Sequence, residues 1–254
     1  MCYDDDARPP LPPGTGGGSN GEELVLTAAD GNRFSAYAAQ PTQPTQAQIL
    51  IYPDVRGLHQ FYRELALRFA EMGVAAIAID YFGRTAGLSP RPDNFDYMPL
   101  VQQLRLPEVL EDAKAGLDYM RQGEGAQRAT FITGFCMGGS LTIYTGTYDL
   151  GLAGVIAFYS GFGRKMDEVG TALDVSPRVR YPFLGLYGGA DAGIPPEQLE
   201  VLDKNLDQAG VEHEIKVYPG ATHSFFDRRA TEFAQASADA WQRMLSFIKS
   251  HSPG

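Results

Sequence analysis

The chain has 254 residues, 44% hydrophobic and 20% charged, values that suit one globular domain with a large core. Its formal charge of −10, from 21 Lys and Arg against 31 Asp and Glu, argues against a nucleic-acid or anionic-membrane surface, where cations must neutralise phosphate. Two cysteines, Cys2 and Cys136, are too few for a disulfide framework, so a reducing compartment is expected.

The N-terminal stretch Met1-Cys2-Tyr3-Asp4-Asp5-Asp6 is acidic and lacks the basic start and apolar run of a signal peptide. The longest apolar runs, such as Val74–Ile79, are far too short to cross a bilayer. A soluble, cytoplasmic protein is expected. Residues 1–21 contain Pro9-Pro10-Leu11-Pro12-Pro13 and Gly16-Gly17-Gly18-Ser19, which cannot build a core. They are expected to form an arm, loose or laid on the surface, ahead of a single domain over 22–254.

Strands at 23–28 and 33–39 flank Asp30-Gly31-Asn32, an Asp-Gly hairpin signal. The apolar run 48–52 predicts a central strand, followed by Pro53-Asp54-Val55-Arg56-Gly57 and a helix over 60–72 with Phe61, Leu65, Phe69 and Met72 on one face. Residues 74–79 are apolar throughout, as in strands buried on both sides of a parallel sheet. A long connection over 80–106 leads to a helix opened by Pro107 and running to about 121.

Phe131-Ile132-Thr133-Gly134-Phe135-Cys136-Met137-Gly138-Gly139 predicts a buried strand, a glycine-crowded turn and the start of a helix, with a thiol at the corner. This is the layout of the nucleophile elbow G-x-S-x-G, with Cys136 in place of Ser. A helix starting at Met137 would aim free N–H groups and its positive end at the sulfur, favouring thiolate. The plainer reading makes Cys136 a small buried apolar residue.

Beyond the elbow, strands are expected at 153–158, 182–187 and 211–218, a loop or short helix over 160–180, and helices over 197–209 and 232–249. The alternation implies an α/β fold: a doubly wound, mostly parallel sheet with an antiparallel N-terminal hairpin and helices on both faces. Ligands of such sheets sit beyond the carboxyl ends of the strands.

Three such ends carry chemistry: Cys136, then Asp191 after Gly188-Gly189-Ala190, then His223 after Gly220-Ala221-Thr222. Nucleophile, acid, histidine is the chain order of α/β-hydrolase triads. A thiol needs a base to take its proton and return it to the leaving group, and an acid fixes the tautomer of that base. Among the four histidines, His213 suits a half-buried strand position, His251 lies in the tail, and His59 suits pocket lining or helix capping. Asp191 alternatively forms an Asx turn.

With these motifs the chain resembles the dienelactone hydrolase family of α/β-hydrolases over about 48–249. The motifs are Pro53-Asp54-Val55-Arg56-Gly57, Asp80-Tyr81-Phe82-Gly83-Arg84, Gly134-Phe135-Cys136-Met137-Gly138-Gly139, Gly188-Gly189-Ala190-Asp191 and Gly220-Ala221-Thr222-His223-Ser224-Phe225. The resemblance implies a Cys136, Asp191, His223 triad and an oxyanion hole from the backbone N–H groups of Met137 and Val55. It also implies that Asp54, where the family has a Glu that holds the resting thiol, is the thiol-holding acid; a helix N-cap is the alternative. Arg84 matches the family's Arg that pairs with a substrate carboxylate, while Asp227 stands where a second Arg is expected and Arg228 is one place on.

The expected activity is hydrolysis of a lactone or small carboxylic ester, with a substrate less anionic than dienelactone. No cofactor or metal is implied, since no clustered His and Cys ligand set occurs. The expected partner is the small-molecule substrate, without nucleic acid or membrane, on a monomer or small homo-oligomer. A general carboxylesterase or thioesterase, a binding module that keeps only the fold, and a redox sensor pairing Cys136 with Cys2 are the alternatives.

Overall fold

A computed structural model of the chain describes residues 6–14, 16–89, 91 and 95–253. Cys2, the second half of the redox-sensor reading, lies outside the described residues. Among the described residues eight strands form one sheet: β1 (Ser19–Thr27), β2 (Arg33–Pro41), β3 (Ala47–Tyr52), β4 (Val74–Ile79), β5 (Ala129–Phe135), β6 (Gly154–Phe158), β7 (Phe183–Gly188) and β8 (His213–Tyr218). Their order is β1-β2-β4-β3-β5-β6-β7-β8, antiparallel at β1–β2 and β2–β4 and parallel elsewhere.

The inner strands β3, β4, β6 and β7 are buried at every position, which is why their sequences are apolar runs without alternation. Edge strand β1 is mostly exposed and begins at Ser19, inside the stretch expected to be an arm. It does so because β2 offers a full antiparallel partner out to Ser19 opposite Pro41.

The helices are α1 (Gln60–Glu71), α2 (Gly83–Ala86), α3 (Met98–Gln103), α4 (Leu106–Met120), α5 (Met137–Thr145), α6 (Ala172–Val175), α7 (Pro196–Ala209) and α8 (Ala234–Ser250). Thus the connection over 80–106 is not bare: it holds α2 and α3. Helix α1 buries Phe61, Tyr62, Leu65 and Phe69 at helical spacing, and Phe69 meets Trp241 of α8 with ring centroids 5.0 Å apart. The segment before β1 follows this face: the Trp241 indole N–H donates to the Pro10 carbonyl (2.8 Å), Arg8 pairs with Glu64 (3.1 Å), and the Gly17 N–H donates to the Glu71 carbonyl (2.7 Å).

This topology positions the site. From β3 the chain crosses through α1 to β4 on one side, whereas from β5 it crosses through α5 to β6 on the other. Right-handed crossovers in opposite directions leave a crevice between the carboxyl ends of β3 and β5. Tyr52 is in register with Gly134 there, so Pro53-Asp54-Val55 and Phe135-Cys136-Met137 form its two walls. Among the described residues no helix is long and apolar enough to cross a membrane.

Candidate active site

At the end of β5 the chain turns through Cys136 with φ 57° and ψ −115°, and α5 starts at the next residue. Backbone of this kind is costly for a residue with a Cβ, on the order of 1–3 kcal/mol, and such strain collects where a side chain must be held in a demanding position. Three of the four non-glycine residues with positive φ among those described stand around this crevice: Cys136, Tyr159 (φ 32°) just beyond β6, and Ser224 (φ 61°) beside His223. Gly134 makes the turn sterically feasible, because a Cβ there would overlap the Gly138 carbonyl oxygen and the Thr142 hydroxyl. The Cys136 N–H donates to the Phe158 carbonyl (3.1 Å), fixing the corner to β6.

Cys136 is half-buried and shares a cavity of about 200 Å³ with His223, Met137, Leu141, Tyr144 and Arg164. The His223 Nδ1 lies 2.6 Å from Asp191 Oδ2, and Asp191 is buried. A carboxylate only accepts, so Nδ1 is assigned as the protonated nitrogen of the neutral imidazole and Nε2 as the one that can accept a proton. Asp191 also forms the Asx turn considered from sequence: its Oδ1 accepts from the Gly193 N–H (2.9 Å). One Asp191 oxygen thus meets the loop N–H of Gly193 and the other the His223 imidazole.

Beneath the site lies a stack of rings. Phe135 and Phe158 are 4.6 Å apart, Phe158 and Phe226 4.8 Å, and the Tyr159 ring sits 4.9 Å from that of His223. The Tyr159 hydroxyl donates to Asp227 Oδ2 (3.1 Å). Burial, then the neighbouring Asp54 carboxyl, pushes Asp227 well above the usual carboxylate range. Asp227, at the place of the expected second Arg, is therefore turned inward onto Tyr159.

Asp54 is also buried, at the carboxyl end of β3. Its Oδ1 accepts from the Arg56 N–H (2.9 Å) and lies 3.6 Å from His59 Nε2, while its own N–H donates to the Tyr62 hydroxyl (2.9 Å). The N-cap position of α1 belongs to His59, whose side chain makes no capping bond. His59 instead lines a separate cavity of about 230 Å³ with Arg56, Arg63 and Arg91. Met137 lines the thiol cavity, and Val55 is buried two residues beyond Pro53 on the facing wall.

Arg84 is ion-paired within the fold. Its guanidinium is held by Asp112 (3.0 and 2.9 Å) and Asp30 (2.6 and 3.2 Å), and it is not among the residues lining the thiol cavity. The hairpin turn and α4 thus capture the cation that the resemblance gives to substrate. Two residues were not singled out from sequence. Tyr159 follows a strand end and was accessible to the same rule that found Cys136; Arg164 sits in a segment with no signal beyond loop composition.

Burial raises Asp112 to about 6, outweighing hydrogen bonds from Asn32 and Arg84. An acid with a folded pKa above its unfolded one binds its proton more tightly when folded, so its contribution favours folding below about pH 4 and is eroded as pH rises to about 6. Urea midpoints of wild type and Asp112→Asn measured from pH 7 to 4 are expected to shift progressively in favour of wild type as pH falls. A pH-independent gap would contradict this assignment.

An open, mostly parallel sheet with a strained elbow and a paired acid and imidazole at neighbouring strand ends defines an α/β-hydrolase. The sequence matches the Dienelactone hydrolase family over residues 34–252, and the chain belongs to that family. It is therefore an enzyme that hydrolyses carboxylic esters. An Escherichia coli (strain K12) protein provisionally named a carboxymethylenebutenolidase is 30% identical over 233 residues, covering 88% of this chain and 84% of its own. A crystal structure of a provisionally named dienelactone hydrolase from Klebsiella pneumoniae has a TM-score of 0.80 at 28% identity, covering 91% of this chain and 99% of that one. A dienelactone hydrolase-like promiscuous phosphotriesterase from metagenomic libraries shares the fold, with a TM-score of 0.77 at 19% identity and coverage of 93% and 100%.

Proposed function

We propose that the chain hydrolyses a lactone or small carboxylic ester through a thioester on Cys136, with His223 as base and Asp191 as its orienting acid. The observation that carries this reading is the His223–Asp191 pair at 2.6 Å, with the same imidazole and Cys136 lining one cavity. His223 Nε2 takes the Cys136 proton and the sulfur attacks the ester carbonyl. The backbone N–H groups of Met137 and Val55 hold the oxyanion. Collapse breaks the C–O bond, and His223 returns its proton to the departing oxygen, which in a lactone stays tethered to the acyl group. A water then gives its proton to His223 and attacks the thioester, releasing the acid and the thiol.

The Arg56 N–H fixes the Asp54 carboxyl beside the crevice, which supports Asp54 as the acid that holds the resting thiol in this reading. Residues 22–254 make up the catalytic domain in this reading, with Ser19–Gly21 extending its edge strand and Arg8, Pro10 and Gly17 of the lead-in held on the α1 and α8 face. In this reading the protein works in a reducing cytoplasm, which keeps Cys136 out of disulfides.

Two measurements test the mechanism. Rapid quenching with an activated ester should give a mass increase equal to the acyl group, mapped to the peptide containing Cys136; labelling elsewhere overturns the assignment. Asp191→Asn should lower kcat by about 10⁴-fold, because an amide at Oδ2 no longer fixes the Nδ1–H tautomer. A loss below tenfold would remove Asp191 from the site.

A further inference from the structure

Among the described residues Arg164 is the one Arg, Lys, Asp or Glu lining the thiol cavity, and it belongs to the loop after β6 rather than to α2. Met137, Leu141, Tyr144 and Met166 make most of its wall apolar, and Arg164 stands among them. Arg164 is only partly exposed, its Nε is buried without a hydrogen-bond partner, and its guanidinium donates to the Val101 carbonyl at the last turn of α3. The nearby carboxylate of Asp167 is occupied, accepting from the Leu106 N–H (2.6 Å) and Arg105 (3.2 Å). Burial pulls Arg164 below its ordinary pKa, the mark of a cation that its surroundings solvate poorly. A charge in an apolar cavity costs free energy unless an anion meets it.

The loop is also fixed in place by α5. The Tyr144 hydroxyl sits within hydrogen-bond distance of the Gly170 (2.8 Å) and Arg164 (3.2 Å) carbonyls, Ser140 Oγ donates to the Gly161 carbonyl (2.6 Å), and the Met166 N–H donates to the Gly170 carbonyl (3.0 Å). The helix that starts just after Cys136 therefore also positions Arg164, coupling the cation to the nucleophile through one rigid element. The thiol and the guanidinium line the same cavity of about 200 Å³, so a short substrate held at Cys136 brings its far end to Arg164.

We propose that Arg164 is the specificity-determining residue of this site and selects a short ester or lactone whose acyl part ends in a carboxylate. The inference rests on Cys136 being the nucleophile. It moves acid recognition from Arg84, which Asp30 and Asp112 hold, to the opposite side of the crevice.

The test compares monophenyl glutarate with phenyl 4-carbamoylbutanoate, which differ only in acid against amide at the chain end. Wild type is expected to favour the acid by at least about tenfold in kcat/KM, and Arg164→Met to reduce that ratio roughly 10- to 100-fold, chiefly through the KM of the acid. Arg164→Lys should restore part of the ratio, since charge survives while the planar fork is lost. If Arg164→Met does not fold, competitive inhibition of wild type by glutarate, weakened in Arg164→Lys, supplies the same reading. No preference in wild type, or equal losses on both esters, overturns the proposal. Cys136→Ala separates the two levels: hydrolysis of the amide ester surviving in that variant would strike the nucleophile assignment, whereas its loss alongside an indifferent Arg164→Met would strike the Arg164 assignment alone.

Discussion

Cys136→Ala is expected to lower kcat for an activated ester by on the order of 10⁴-fold or more, and to leave the melting temperature within a degree or two of wild type. In the proposed mechanism the thiol supplies the bond-forming atom, so without it neither the imidazole nor the oxyanion donors have a covalent intermediate to act on. Stability is spared because Ala keeps the Cβ and hence the same backbone strain at φ 57°. Cys136→Gly separates the two properties further. Without a Cβ the elbow relaxes, and unfolding should become more costly by about 1 kcal/mol, while activity is lost as in the Ala variant. For a chain of this size that is a rise of about 2–4 °C in Tm. Full activity of Cys136→Ala would end the covalent mechanism, and a glycine variant less stable than the alanine one would show that the elbow is not strained.

Gly138→Ala should be strongly destabilising, by about 3 kcal/mol, although helix propensity favours Ala over Gly by about 1 kcal/mol. Gly138 lies in the first turn of α5, where a Cβ would overlap the backbone carbonyl oxygens of Tyr52 and Pro53. Neither oxygen belongs to a side chain that could swing away. The helix would have to move off β3, carrying the Cys136 corner away from the Pro53-Asp54-Val55 wall. Chemical denaturation and ester turnover should therefore fall together. A neutral or stabilising effect would mean that α5 does not approach β3 this closely.

The sheet and its alternating helices were legible because burial leaves a direct mark on sequence. Strands covered on both faces, such as Val74–Ile79, must be apolar throughout, and helices covered on one face, such as Gln60–Glu71, repeat apolar residues at helical spacing. Local chemistry marked other boundaries: Pro107 lies in the first turn of α4, and Gly210, with φ 68°, ends α7. What escaped depends on partners distant in the chain. Strand β1 reaches Ser19 because β2 pairs with it, despite a glycine-rich lead-in that argued for an arm. Arg84 is held by Asp30 and Asp112, 54 and 28 residues away, so nothing beside its own motif announces where it ends.

By itself the sequence determined the family, the fold class and the three chemical groups placed at strand ends, since each leaves a local pattern of apolar runs, glycines and chain order. Only the tertiary structure decided how charge is distributed around the crevice: Arg84 drawn to the hairpin, Asp227 turned onto Tyr159, Arg164 held by α3 and α5 at the thiol cavity. The physical reason is that a charged side chain reaches for whatever partner folding brings near it. Long-range proximity of that kind has no periodicity to be read along the chain.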